Sequence, residues 1–190
     1  MNPAIPLLDA AREVEDVLSD LGLKAVIIGG LAIFRWGEPR ATRDVDFILL
    51  CPFGEENSKT DAILNRLRGR IENARDFAAN NRVLLLSASN GKPIDIVLGG
   101  LPFEERVIER GSTFEFARGA GLRTCSAEDL VVMKAFAGRD RDLTDIPGIL
   151  VRQSGRLDWK LIENELRPLL ELKDAPEMWD RLLEIRAQTS

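Results

Sequence analysis

The sequence predicts an α/β chain of the α+β kind, with a mixed central β-sheet flanked by helices and a helical C-terminal part. Three observations carry that expectation. A short β-branched run from Lys24 to Ile28 stops at Gly29-Gly30 and resumes at helical spacing, the order of a strand, a turn and a helix. Two apolar runs, 83–87 and 93–98, flank Asn90-Gly91, a dipeptide suited to the tight turn of an antiparallel hairpin. Residues 143–187 are almost wholly helical in pattern, broken only near Ser154-Gly155 and Asp174-Ala175-Pro176.

The elements follow in order. Leu7, Leu8, Ala11, Val14, Val17, Leu18 and Leu21 recur at helical spacing, so residues 6–21 form an amphipathic helix with Pro6 in its first turn. After the strand at 24–28, Leu31 to Trp36 is a second helix, broken by Gly37 and Pro39. Asp44 to Leu50, DVDFILL, resumes as a strand. Ile63, Leu64, Leu67, Ile71 and Ala74 fall at helical intervals and predict a helix across 60–78. Phe103 to Glu109 reads as a short helix, Thr113 to Ala117 as an edge strand, and Gly119-Ala120-Gly121 as a turn. Ser126-Ala127-Glu128-Asp129 has the form of a capping box, opening a helix with Leu130, Val131, Met133, Lys134 and Phe136. Pro147 fits the first turn of the next helix, with Arg141, Asp142 and Asp145 ahead of it. The division expected is a core at 1–125 and a helical part at 126–190 packed on that core.

A chain of 190 residues with 45% hydrophobic content has the apolar material for a buried core. No apolar run approaches the roughly 20 residues of a membrane span, and the opening MNPAIPLLDAAREVEDVL lacks a basic start followed by an apolar stretch. A cytoplasmic location with no membrane partner is the expectation. Cys51 and Cys125 stand far apart with no histidine nearby, so spacing argues for neither a zinc cluster nor a disulfide framework. Histidine is absent altogether, which leaves Asp, Glu, Lys or water as any general base. A net charge of −5, from 26 basic and 31 acidic residues, argues against indiscriminate adsorption to nucleic acid. A local basic groove is compatible with it, although a solvated helix face explains the scatter of Arg139, Arg141, Arg152, Arg156 and Lys160 as well.

Asp44 and Asp46 lie two apart in the expected strand, so both carboxylates point to one face. Like charges side by side repel, and a divalent cation turns that repulsion into coordination. With only hard oxygen ligands on offer, Mg²⁺ or Mn²⁺ suits better than zinc. Asp95, between Ile94 and Ile96 in the second hairpin strand, completes a cluster of three if that strand neighbours the first. Such a cluster fits in-line displacement at the α-phosphate of a nucleotide. Gly29-Gly30 lets backbone N–H groups approach a phosphate, with the positive end of the following helix aimed at it. The competing readings are an Asp44 that caps a turn, an Asp46 paired with Arg43 or Arg40, an exposed Asp95 and a snorkelling Lys134.

Residues 29–49, GGLAIFRWGEPRATRDVDFIL, resemble the signature of the nucleotidyltransferase superfamily, in its Arg-x-Thr-x-Asp-hydrophobic-Asp variant at Arg40, Thr42, Asp44 and Asp46. That variant looks like the AbiEii/AbiGii-type toxin nucleotidyltransferases and related small bacterial proteins. KAFAGRDRDLTDI, at 134–146, is similar to the same group's lysine motif and the Arg-Asp-x-x-Asp after it, at Lys134, Arg141, Asp142 and Asp145. The resemblance implies the nucleotidyltransferase fold. It implies Asp44 and Asp46 as metal ligands, Asp95 in catalysis beside them, Gly29 and Gly30 on the nucleotide phosphates, and Lys134 on the triphosphate. Asp142 completes the site through Lys134 or the nucleotide, and Arg40 and Thr42 join the nucleotide-binding set.

The function expected is transfer of a nucleoside monophosphate from an NTP to an acceptor hydroxyl, with Mg²⁺ or Mn²⁺, as the toxin-like component of a toxin–antitoxin system with an antitoxin protein as partner. The alternative is a catalytically inactive nucleotide-binding regulatory module. Three Trp, eight Phe and no Tyr mark no base-stacking platform, so the acceptor stays open between RNA such as tRNA, a protein and a small molecule such as an antibiotic.

Overall fold

A computed structural model describes residues 5–189; residues 1–4, which begin the opening expected to lack a leader, and Ser190 lie outside the described residues. Helix α1 (Ile5–Asp20) leads into strand β1 (Ala25–Ile28), helix α2 (Gly29–Trp36) and strand β2 (Val45–Leu50). Then come α3 (Glu56–Leu64), β3 (Arg68–Gly69), α4 (Ala74–Asn81), and the hairpin β4 (Val83–Ser87) with β5 (Pro93–Gly99). Helix α5 (Pro102–Arg110) precedes β6 (Ser112–Glu115) and β7 (Gly121–Thr124), and α6 (Ala127–Ala137), α7 (Asp140–Gln153), α8 (Trp159–Lys173) and α9 (Glu177–Thr189) follow. The strands form one mixed sheet in the order β3-β4-β5-β2-β1-β7-β6. β2 runs antiparallel to β1 and parallel to β5, and β7 runs parallel to β1.

Alternation along the strands sorts the sheet into two faces. Val45, Phe47 and Leu49 of β2, Ile94, Ile96 and Leu98 of β5, and Leu84 and Leu86 of β4 are buried together with Leu7, Ala11, Val14 and Leu18 of α1. That apolar layer is the main hydrophobic contribution to stability, at about 25 cal/mol for each Å² of apolar surface removed from water. The opposite face carries Asp46, Ile48, Asp95 and Val97. No helix among the described residues is long and apolar enough to cross a membrane.

The helix expected across 60–78 is not one helix. α3 ends at Leu64, and the chain extends through β3 before α4 begins at Ala74. Ile63, Leu67 and Ala74 do face the core, so the periodicity reported burial and not continuous helix. The open edge of β4 decides the matter: Arg68 pairs with Ser87, and the Arg70 N–H donates to the Leu85 carbonyl at 2.9 Å. Two smaller corrections concern element ends. Asp44 lies just ahead of β2, outside the strand. Pro147 sits inside α7, whose ladder is already under way where the Leu143 N–H donates to the Arg139 carbonyl at 3.0 Å.

The chain divides into two compact units. The first takes the residues up to Leu31 together with Ala41–Cys125, and so holds the sheet, α1, α3 to α5 and the start of α2. The second takes Ala32–Arg40 with the residues from Ser126 onward. In this unit α6 packs against α7, α8 and α9, burying Leu130, Val131, Ile146, Ile149, Ile162 and Leu166. The Ser126 hydroxyl caps α6 by accepting from the Asp129 N–H at 3.0 Å. Gln153 Nε2 donates to the Trp36 carbonyl at 2.9 Å and Arg152 Nη1 to the Gly37 carbonyl at 2.8 Å, which ties the 32–40 segment to α7.

Candidate active site

Parallel pairing of β2 with β5 sets Asp46 directly beside Asp95. Their neighbours Val45, Phe47, Ile94 and Ile96 are buried on the core side, so both carboxylates leave the other face of the sheet. Further along that face, α5 packs against β1 and β2, where Val26 and Ile48 are buried. Asp46 and Asp95 stand nearer the strand beginnings and keep partial exposure.

The two glycines at the head of α2 are bare because their neighbours fill the space. A Cβ on Gly29 falls 2.0 Å from Asp46 Oδ2, and the residue holds φ +61°. A Cβ on Gly30 falls 2.4 Å from Thr42 Oγ1. The Thr42 hydroxyl in turn donates to Asp44 Oδ1 at 2.9 Å. Asp46 therefore reaches the N-terminal end of α2 directly, and Asp44 reaches it through Thr42. Backbone N–H groups at a helix start attract anions, so carboxylates and phosphates have the same reason to gather here.

Arg70 Nη2 donates to Asp95 Oδ1 at 2.7 Å, with both side chains 30% exposed. Among the described residues no group of three or more Asp, Glu or Cys side chains is gathered so as to hold a metal ion. The three-carboxylate cluster read from the sequence is thus not drawn to one point: Asp44 stands ahead of the strand against Thr42, and Asp95 leans to Arg70. What fits a hard divalent cation is the all-oxygen donor set and the in-register pair Asp46 and Asp95. Arg70 was missed by sequence reasoning because the helix expected across 60–78 hid its place directly after the edge strand β3, beside Asp95.

A second charged cluster lies in the helical unit. Lys134, only 6% exposed on α6, contacts Asp142 Oδ1 at 2.8 Å and Asp145 Oδ2 at 2.8 Å on α7. Burial answers the snorkelling alternative, because the ammonium is turned to carboxylates and not to water. Arg40 holds Asp145, and Arg139 Nε donates to Asp142 Oδ2 at 2.5 Å. Burial alone pushes the Asp142 carboxyl up, but hydrogen bonds from Arg139 and Lys134 hold it below the usual carboxylate value. Asp145 behaves likewise, burial being overcome by hydrogen bonds from Arg40 and Lys134.

A family model described as nucleotidyl transferase AbiEii toxin, type IV TA system, matches residues 14–166. Comparison with curated proteins gives no match. Among solved structures, the antibiotic-resistance factor ANT(2'')-Ia in solution is similar at TM-score 0.56 and 17% identity, over 92% of this chain and 96% of that one. An antigenic nucleotidyltransferase-like protein from Paracoccidioides brasiliensis is similar at TM-score 0.53 and 16% identity, over 93% and 91%. A nucleotidyltransferase described as putative from H. pylori is similar at TM-score 0.52 and 13% identity, over 100% and 94%. At such identities the likeness shows a shared fold.

Proposed function

The chain belongs to the AbiEii nucleotidyl transferase family, and from that premise we propose that it moves a nucleoside monophosphate from an NTP to an acceptor hydroxyl, releasing pyrophosphate. The observation that carries the reading is the pairing of Asp46 with Asp95 beside the bare start of α2. In it, Gly29, Gly30 and Thr42 receive the nucleotide phosphates, where the helix start favours negative charge. Asp44 and Asp46, with Asp95 beside them, would hold Mg²⁺ or Mn²⁺. Such an ion supplies charge neutralisation at the α-phosphate and a more acidic acceptor hydroxyl.

The step balances with this chain's groups. The acceptor oxygen forms a bond to the α-phosphorus, the bond from that phosphorus to the bridging oxygen breaks, pyrophosphate leaves, and Asp95 takes the hydroxyl proton. Lys134 and Asp142 enter the nucleotide set by family resemblance. Arg40 belongs with them, and its grip on Asp145 suits a supporting role. The biological setting we favour is the toxin-like half of a toxin–antitoxin pair, in the cytoplasm.

A second reading, a nucleotide-binding module without catalysis, draws on one observation: Arg70 already occupies an oxygen of Asp95. Incubation with radiolabelled NTPs, Mn²⁺ and total cellular RNA or protein separates the two. Label transfer with pyrophosphate release, lost in Asp46→Asn while circular dichroism is unchanged, supports the transferase. Nucleotide binding without pyrophosphate release supports the silent module. Transfer that survives Asp46→Asn overturns the site.

A further inference from the structure

The geometry points to Arg70 as the competitor of the divalent cation for Asp95: its guanidinium neutralises this carboxylate and yields it when the ion binds. The inference rests on the transferase reading, in which Asp46 and Asp95 hold the ion, and it names the residue that sets how readily the site takes metal.

One row across the sheet carries the argument. Asp46 of β2 pairs with Asp95 of β5, Asp95 pairs with Leu85 of β4, and the Leu85 carbonyl accepts from the Arg70 N–H at 2.9 Å. Directly paired residues turn their side chains to one face, so Arg70 shares the face of the two aspartates. Neighbouring strands lie roughly 4.8 Å apart, which sets Asp46 and Asp95 side by side as like charges. The Arg70 backbone stands two strand spacings from Asp95, roughly 9.6 Å. Its side chain therefore spans the width of β4 to bring Nη2 within 2.7 Å of Asp95 Oδ1.

The two carboxylates are compensated from opposite sides. Asp46 Oδ2 lies against Gly29, where an added Cβ would come within 2.0 Å and the start of α2 favours negative charge. Asp95 stands one strand further from that helix and takes its compensation from Arg70.

The grip of Arg70 is light. Among the described residues, Nη2 to Oδ1 is the only hydrogen bond of either side chain, and Asp95 Oδ2 accepts from none. Both side chains are 30% exposed, and ion pairs so exposed contribute little and exchange readily. Arg40, by contrast, holds Asp145 through two parallel bonds, with that carboxylate 5% exposed. A divalent cation carries twice the charge of a guanidinium and can bond oxygens of both aspartates at once, while a guanidinium on Oδ1 repels it. Metal and arginine thus compete for Asp95, and the displaced side chain swings out at the edge of the sheet, where water takes up its charge.

The test measures Mn²⁺ binding to the nucleotide-free protein by loss of the free-ion signal in electron paramagnetic resonance. Arg70→Gln is expected to bind Mn²⁺ about tenfold tighter than the parent, the order of effect of removing a unit charge from beside the ion under water-like screening. Arg75→Gln takes the same charge from an exposed pair with Asp61 and leaves the affinity at the parent value. In an Asp95→Asn background Arg70→Gln gives no gain, because the carboxylate it blocks is gone. In the parent protein the Arg70 Nε–H resonance, assigned by its absence from Arg70→Lys, is expected to move on addition of Mg²⁺. Equal or weaker Mn²⁺ binding by Arg70→Gln, a matching gain in Arg75→Gln, a gain that persists without Asp95, or a resonance unmoved at saturating Mg²⁺ overturns the inference. The two claims fail separately. Competition for metal in a protein that releases no pyrophosphate sinks only the transferase reading, and transfer with the same Mn²⁺ requirement in parent and Arg70→Gln sinks only the competition.

Discussion

Arg40 grips Asp145 with two parallel hydrogen bonds, Nε to Oδ1 at 2.5 Å and Nη2 to Oδ2 at 2.8 Å, while Lys134 holds the same carboxylate from α6. The pair links the Arg-x-Thr-x-Asp-x-Asp segment to the Arg-Asp-x-x-Asp segment inside the helical unit. Arg40→Lys keeps the charge and loses the fork, with an expected cost of about 1–2 kcal/mol; Arg40→Ala is expected to cost about 2–4 kcal/mol. Urea unfolding measures both, and an Arg40→Lys protein as stable as the parent would show that charge alone matters.

Lys134→Met leaves two buried carboxylates with one cation fewer, and a loss of about 3–5 kcal/mol at neutral pH is expected. The pH dependence follows from Asp142 and Asp145, both held below the ordinary aspartate range. Groups so depressed contribute stability that is present above the unfolded value and lost as pH falls through the folded values. The gap between parent and variant is therefore widest near neutrality and closes in acid, below the range in which a free aspartate titrates. Glu15, raised by burial, works in the opposite direction and cancels in the comparison. Urea midpoints across the acid range give the result, and a gap that widens on acidification contradicts the assignment.

Gly29→Ala places a methyl group 2.0 Å from Asp46 Oδ2 at φ +61°. Gly22→Ala carries the same backbone strain at φ +67° with nothing within 4 Å. Both are expected to lose about 1–2 kcal/mol from the left-handed conformation. Only Gly29→Ala is expected to lose more, and to drop label transfer by about 100-fold, the effect of a displacement of about 1 Å at a reacting group. Thermal unfolding and transfer assays on the two variants check this. Equal transfer by both would detach Gly29 from the site.

Much of this geometry was legible in the sequence for a physical reason. Gly29-Gly30 after a β-branched run, and Asn90-Gly91 between two apolar runs, are local signals fixed by backbone sterics. The breaks at 154–155 and 174–176 were legible likewise, and the residues at Ser154 and Asp174 hold positive φ there. Arg70 and the β3 edge were not legible, because Ile63, Leu67 and Ala74 keep helical spacing while the backbone between them pairs with a strand remote in sequence. Nor could spacing show that Asp145 shares Lys134 with Asp142 and takes Arg40 from a distant segment. Side-chain partners across elements depend on tertiary packing, which a pattern along one chain does not encode.

The pairing of β2 with β5 joins strands far apart in the chain, whereas β5 first meets β4 through a local hairpin. Local pairings form ahead of distant ones, since the entropy of closing the longer loop must be met first. During synthesis on the ribosome, Asp46 emerges well before Asp95, and the nascent protein has no paired carboxylates until the finished hairpin docks. The carboxylate pair is thus a product of late assembly, since neither strand alone carries both of its members.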